Sequence, residues 1–180
     1  AAFEQFLHRL PFYGLAVLCV DDHEVAELAA KTPRRTLTYA IHAEADVTAS
    51  DVRQQGARML FDLHLPEHEQ AIPIELNLPG RHNVLNALAA CAVGYQLGVS
   101  AAAMQKALSS FQGVGRRFSM RGDVLHDRGR AQLVDDYGHH PSELAAVFEA
   151  ARSGWPQKRL VVAFQPHRYS RTSDLLDDFA

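Results

Sequence analysis

The stretch VDDYGHHPSE, Val134 to Glu143, places Asp135 and Asp136 close to His139 and His140. Acids and imidazoles at this spacing serve a metal site, a catalytic acid–base pair, or a polar turn. The apolar run QLV ends at the two acids, and Pro141 suits the first turn of a following helix. The pair is therefore expected at the C-terminal end of a strand in an open α/β sheet, where such sheets bind ligands. A carboxylate there can accept from ribose hydroxyls, and His139 or His140 can orient a substrate or move a proton. Adjacent histidines point in different directions and no third ligand is evident, which weighs against zinc.

Three other stretches carry candidate chemistry. In LPGRHNVLNALAA, residues 78–90, Pro79-Gly80 makes a turn and a helix starts near His82. Asn83 and Asn86 are three apart and share a face. Their amides suit the donor–acceptor edge of adenine, or Asn83 caps the helix and Asn86 is an ordinary polar residue. In GRRF, Arg116 and Arg117 follow a glycine break, Gly113 and Gly115. They form either a movable phosphate clamp or a solvated basic linker. In LVVAFQPHRYSRT a buried strand gives way to a polar loop with His167, Arg168 and Arg171, whose guanidiniums suit a carboxylate or phosphate. Two strand ends would then face one cleft. No Lys follows a Gly, so no Walker A loop exists in these residues.

Elements that position these residues follow from periodicity. An apolar strand at 15–20, a helix at 23–31 and a strand at 36–41 read as a βαβ unit with a short parallel sheet. Alternating segments at 46–54, 58–65 and 71–78 read as antiparallel strands with one wet face. A buried, Ala-rich helix is expected at 82–97, and Ser100 is a good N-cap for another reaching Ser110. Beyond the glycine break come strands near 118–126 and 131–135, a helix at 141–153, a strand at 159–164 and a helix from about 172.

With 180 residues there is room for a real core in one large or two small domains. A net charge of −3 argues against a general nucleic-acid binder. Fifteen arginines stand against the lysines Lys31, Lys106 and Lys158, so arginine is the expected handler of anions. Cys19 and Cys91 lie in apolar runs without partners at metal spacing and read as buried free thiols, fitting a reducing cytoplasm. No signal peptide or membrane-spanning apolar run is evident. Both ends interrupt helical patterns without caps, as expected of an internal fragment.

Taken together and in order, LPGRHNVLNALAA, FQGVGRRF, VDDYGHHPSE and AFQPHRYSRT resemble the Mur ligases of peptidoglycan synthesis, over essentially the whole chain. DDYGHHP and QPHRYSRT are the narrower motifs and resemble the alanine-adding branch. The resemblance implies residues 1–114 as the later part of a central ATPase domain, and 115–180 as the start of a Rossmann-like C-terminal domain. It implies ATP-dependent phosphorylation of the lactyl carboxylate of UDP-N-acetylmuramate, then attack by L-alanine on the acyl phosphate. Magnesium is implied too, with ligands outside these residues. By motif, Asn83 and Asn86 read adenine beside His82, Arg117 meets the γ-phosphate and Asp136 the ribose. Tyr137, His139, His167, Arg168 and Arg171 surround the alanine, with Arg117 and His139 closest to the chemistry. Two rival readings are a metal-dependent hydrolase built on Asp135, Asp136, His139, His140 and His167, and a non-catalytic nucleotide-binding module.

Overall fold

A computed structural model describes residues 2–127 and 129–179. A five-stranded mixed sheet in the order β1-β2-β3-β4-β5 forms the first half. β1 (Leu15–Cys19), α2 (His23–Lys31) and β2 (Arg35–Ala40) make the expected parallel βαβ unit, preceded by α1 (Ala2–His8). β3 (Val47–Gln55) joins β2 in parallel, and β4 (Arg58–His64) and β5 (Ile72–Leu76) continue antiparallel. The two aspartates after β1 divide their work. Asp21 accepts from the backbone N–H groups of Ile41, His42 and Ala43, while Asp22 caps α2 through Val25 N–H. Burial opposes ionisation of Asp21, yet those three amides hold its carboxyl below the usual carboxylate range.

α3 (Arg81–Gln96) and α4 (Ala101–Ser110) cover the sheet. Period-two alternation in β4 turns Met59, Phe61 and Leu63 inward, against Val84, Leu88 and Cys91 of α3. α3 is apolar on most sides but buried on one: Val93 and the C-cap Leu97 are exposed, and Ala90 borders a cleft. Burial also pushes the Cys91 thiol up to about 11, whereas Cys19 is half-buried rather than buried. β5 is an edge strand, which is where Pro73 is tolerated, and Gln105 of α4 donates to its carbonyl. Ser100 Oγ accepts from Ala103 N–H and caps α4. Ser100→Ala should therefore lower stability by about 1 kcal/mol in a denaturant titration, with an unchanged slope.

The second half contains β6 (Ser119–His126), β7 (Gly129–Asp135), α5 (Pro141–Gly154), α6 (Tyr169–Asp174) and α7 (Leu176–Phe179). β6 and β7 pair antiparallel as a separate two-stranded sheet; Asp135 does end a strand as expected, but among the described residues that strand lies in this hairpin and not in a wider open sheet. Nor do residues 159–164 form a strand. The apolar run LVVAF is there, but no described strand lies beside it, and Val161 is 73% exposed. A strand is stabilised by its ladder, and apolar character alone does not supply one. The helix expected from 172 begins earlier and breaks at Leu175 into α6 and α7. Among the described residues no helix is long and apolar enough to cross a membrane.

Candidate nucleotide cleft

Between α3 and α4 on one side and residues 114–118, Asp136 just past β7, and α5 on the other lies a cleft of about 830 Å³. His82, Asn83, Asn86, Arg117 and Asp136 all border it. Its remaining walls are mainly apolar, with Leu78, Leu108, Phe111 and Val147 prominent. A concave apolar slot with a few convergent polar groups is the usual form of a small-molecule site.

Local folding explains each placement. Gly80, at φ 94, is the N-cap of α3, and an added Cβ would lie 2.6 Å from the His82 ring. Asn83 is thus not the cap. Its Nδ2 donates to Pro79 O at 2.7 Å, and Asn86 Nδ2 donates to Asn83 Oδ1 at 3.3 Å. Asn86 keeps its own carbonyl oxygen for a ligand, and each amide has a second hydrogen to offer. His82 is held below the usual histidine range, first by burial and then by Arg117, with Asp136 and Glu149 opposing. A base whose folded pKa is depressed favours folding above its unfolded pKa. That contribution should be lost as pH falls from about 6.5 through the folded value. His82→Gln should flatten the fall in stability between pH 7.5 and 5.5, by up to about 1.4 kcal/mol per pH unit.

Residues 113–118 are wound tightly. Gly113, Arg116 and Phe118 have φ of 79, 60 and 44, a region that favours glycine, so two bulky residues sit there against preference. Their neighbours hold them. Asp136 Oδ2 accepts from Phe118 N–H at 2.7 Å and Oδ1 from Gly138 N–H at 2.6 Å. Arg116 O accepts from Tyr137 N–H at 2.8 Å, and its guanidinium lies 4.5 Å from the centre of the Tyr137 ring. Phe118 stacks on Trp155. The basic stretch is therefore clasped to the end of β7 rather than a loose linker.

Arg117 points into the cleft, 3.8 Å from Glu143 Oε1. Glu143 had no role assigned from sequence. Its Oε2 accepts from the His139 and His140 N–H groups, closing a capping box in which His140 Nδ1 accepts from Ser142 N–H. The His139 amide, followed by that of His140 and by the His139 and Arg117 charges, holds its carboxyl low against the effect of burial. An acid three positions after a polar residue at a helix start is the pattern that could have disclosed it.

The residues expected around an amino acid do not border this cleft. Tyr137, His139 and His167 form a separate ring cluster, with centroids 5.1 to 6.4 Å apart. His139 Nδ1 lies 2.8 Å from Tyr137 O; a carbonyl only accepts, so Nδ1 carries a hydrogen. Arg171 donates to His167 O, and the Arg168 side chain is exposed. The two loops meet at His139 and His167. Asp135 pairs with Arg121 at 2.9 Å, and His140 is spent as a cap. Among the described residues no three His, Cys, Asp or Glu side chains gather as a metal site, so the hydrolase reading has no ligand set.

The Mur ligase middle-domain model matches residues 1–94, and the Mur ligase glutamate ligase domain model matches residues 116–180. The chain belongs to the Mur ligase family. Its relatives include the UDP-N-acetylmuramate–L-alanine ligase of Xylella fastidiosa strain M12, 66% identical over 99% of this chain and 38% of that protein. The enzyme of the same name from Xanthomonas euvesicatoria pv. vesicatoria strain 85-10 is 62% identical over the full chain and 38% of its own length. Among solved structures, UDP-N-acetylmuramate–alanine ligase MurC from Thermotoga maritima matches with a TM-score of 0.71 and 28% identity, over 89% of this chain and 35% of that one. MurF from Acinetobacter baumannii matches at 0.68 and 25% identity, over 87% of this chain and 32% of that one. The chain thus spans 38% of the length of these curated relatives. Its mixed α/β architecture is that of a Mur ligase with middle and C-terminal domains.

Proposed function

We propose that this Mur ligase chain serves ATP-dependent attachment of L-alanine to UDP-N-acetylmuramate in peptidoglycan precursor synthesis. The observation that carries the nucleotide part is one cleft bordered by His82, Asn83, Asn86, Arg117 and Asp136 together. The choice of L-alanine rests on 62–66% identity to ligases named for that reaction. The domains divide near residue 114, at the left-handed Gly113.

In this reading the apolar walls take the adenine and the Asn86 amide meets its edge. Neutral His82 lies beside the base, excluding water without adding charge. Asp136 keeps lone pairs beyond those used on Phe118 and Gly138, and these accept from the ribose. Arg117 supplies a planar cation for phosphate oxygens, where charge grows during phosphoryl transfer. Transfer of the γ-phosphoryl group to the lactyl carboxylate leaves ADP and an acyl phosphate; the alanine amine attacks its carbonyl carbon, and inorganic phosphate departs as the amide forms. Tyr137, His139 and His167 form the adjoining amino-acid wall, where the His139 ring takes a proton from the incoming ammonium. Arg168, the N-cap of α6, and Arg171 within that helix take the carboxylate. Among the described residues no three His, Cys, Asp or Glu side chains gather around a site for magnesium. Such an enzyme works in the cytoplasm.

The test is ADP release by the full-length enzyme with UDP-N-acetylmuramate and ATP-Mg, offering L-alanine, glycine, L-serine, D-glutamate or a murein tripeptide in turn. Release that depends on L-alanine supports the proposal. Release with the tripeptide alone moves the protein to a recycling ligase, and none with any amine leaves a nucleotide-binding module. Arg168→Ala with Arg171→Ala should raise the alanine KM far more than the ATP KM; equal losses for both would remove the pair from the alanine site.

A further inference from the structure

We infer that Gln54, near the tip of the β3–β4 hairpin, is a positioning residue that latches the two walls of the cleft together. Its Nε2 donates to Gly56 O at 2.8 Å and to Ala150 O at 2.9 Å, and its Oε1 accepts from Gly80 N–H at 3.2 Å. One carboxamide thereby uses both hydrogens and its oxygen to join three segments. Gly80 starts the helix that carries His82, Asn83 and Asn86. Ala150 lies on α5, whose Ala146 and Val147 border the opposite wall and whose first turn holds Glu143 beside Arg117. The separation between amides on one wall and the arginine on the other is therefore set at Gln54.

The surrounding glycines point the same way. A Cβ on Gly154 would lie 2.5 Å from Gln54 Nε2 and 2.6 Å from Gly56 O, the latter a backbone atom that cannot swing aside. A Cβ on Gly80 would lie 3.0 Å from the Ala150 Cβ, and Ala150 is only 1% exposed. Small residues on both partners let the hairpin tip reach the backbone of α5. The contact is made of uncharged hydrogen bonds, each of modest net strength, so it can close and reopen.

None of this depends on what the cleft binds; only the last readout below rests on the nucleotide reading. Spin labels at Lys106→Cys on α4 and Arg152→Cys on α5, in a Cys19→Ser and Cys91→Ala background, report the distance across the cleft. The parent should give one narrow distance. Gln54→Ala, Gln54→Glu and Gly154→Ala should each lengthen and broaden it; the Glu variant matters most, having the same size without the donor. Hydrogen exchange in β4 and α3 should stay at parent levels, which separates an opened latch from an unfolded protein. Apparent ADP affinity should fall by the fraction that remains closed, about tenfold if one molecule in ten does. A parent-like distance in both Gln54→Glu and Gly154→Ala overturns the latch. ADP failing to bind the parent would sink the nucleotide reading, and the distances would still decide the latch.

Discussion

Arg117→Ala in the full-length enzyme should lower turnover about 100- to 1,000-fold, the usual cost of removing one preorganised donor from a developing charge. The fold should hardly notice. The Arg117 side chain is 64% exposed, and its nearest carboxylate, Glu143, stands at 3.8 Å, too far for a bidentate pair. A loose, solvated ion pair of this kind contributes at most about 1 kcal/mol. The unfolding midpoint should therefore stay close to that of the parent while activity collapses. Arg117→Lys should recover only a small part, because a point charge does not reproduce the planar fork. Steady-state ADP release and a thermal melt on the same preparation provide the check. Undiminished turnover would remove Arg117 from phosphate handling, and a large drop in melting temperature would make it structural.

Asp136→Ala should do the opposite, costing stability before it costs chemistry. Its two oxygens hold the amides of Phe118 and Gly138, and Phe118 sits in a left-handed conformation that a bulky residue does not choose. A hydrogen bond to a charged group contributes about 1.5–3 kcal/mol, so losing both should cost roughly 3 kcal/mol. For a chain of this size that corresponds to a midpoint lower by roughly 6–12 °C. Asp136→Asn keeps one acceptor oxygen and should recover about half. In that milder variant a weakened ADP affinity would isolate the ribose contact from the fold. A wild-type melting curve for Asp136→Ala would show that the 113–118 turn holds itself.

Much of the first sheet was legible in the chain because its signals are local. Ser100 caps a helix where expected, and alternation in β4 marks which residues turn inward. Pro141 does open α5. The stretch 159–164 was misread for a physical reason: its apolar run is identical whether or not a partner strand lies alongside, and pairing is a non-local fact. The neighbour of the strand that ends at Asp135 is an equally non-local fact: β7 pairs antiparallel with β6 alone among the described strands.

By itself, the sequence determined the residue types able to meet a nucleotide, their helical and turn placement, and, through four ordered motifs, the family they resemble. Tertiary structure decided which of them share a cavity. His82, Asn83 and Asn86 stand some 30 positions from Arg117 and 50 from Asp136, yet one cleft gathers all five. Arg168 and Arg171, closer along the chain to Asp136, lie outside it. Gln54 could not be read as anything from HPHP-like alternation, for its role exists only where a hairpin tip, a glycine turn and the far end of α5 meet. Periodicity reports the face a residue presents; which face it meets depends on loop closures over long separations, and those are settled only when the whole chain packs.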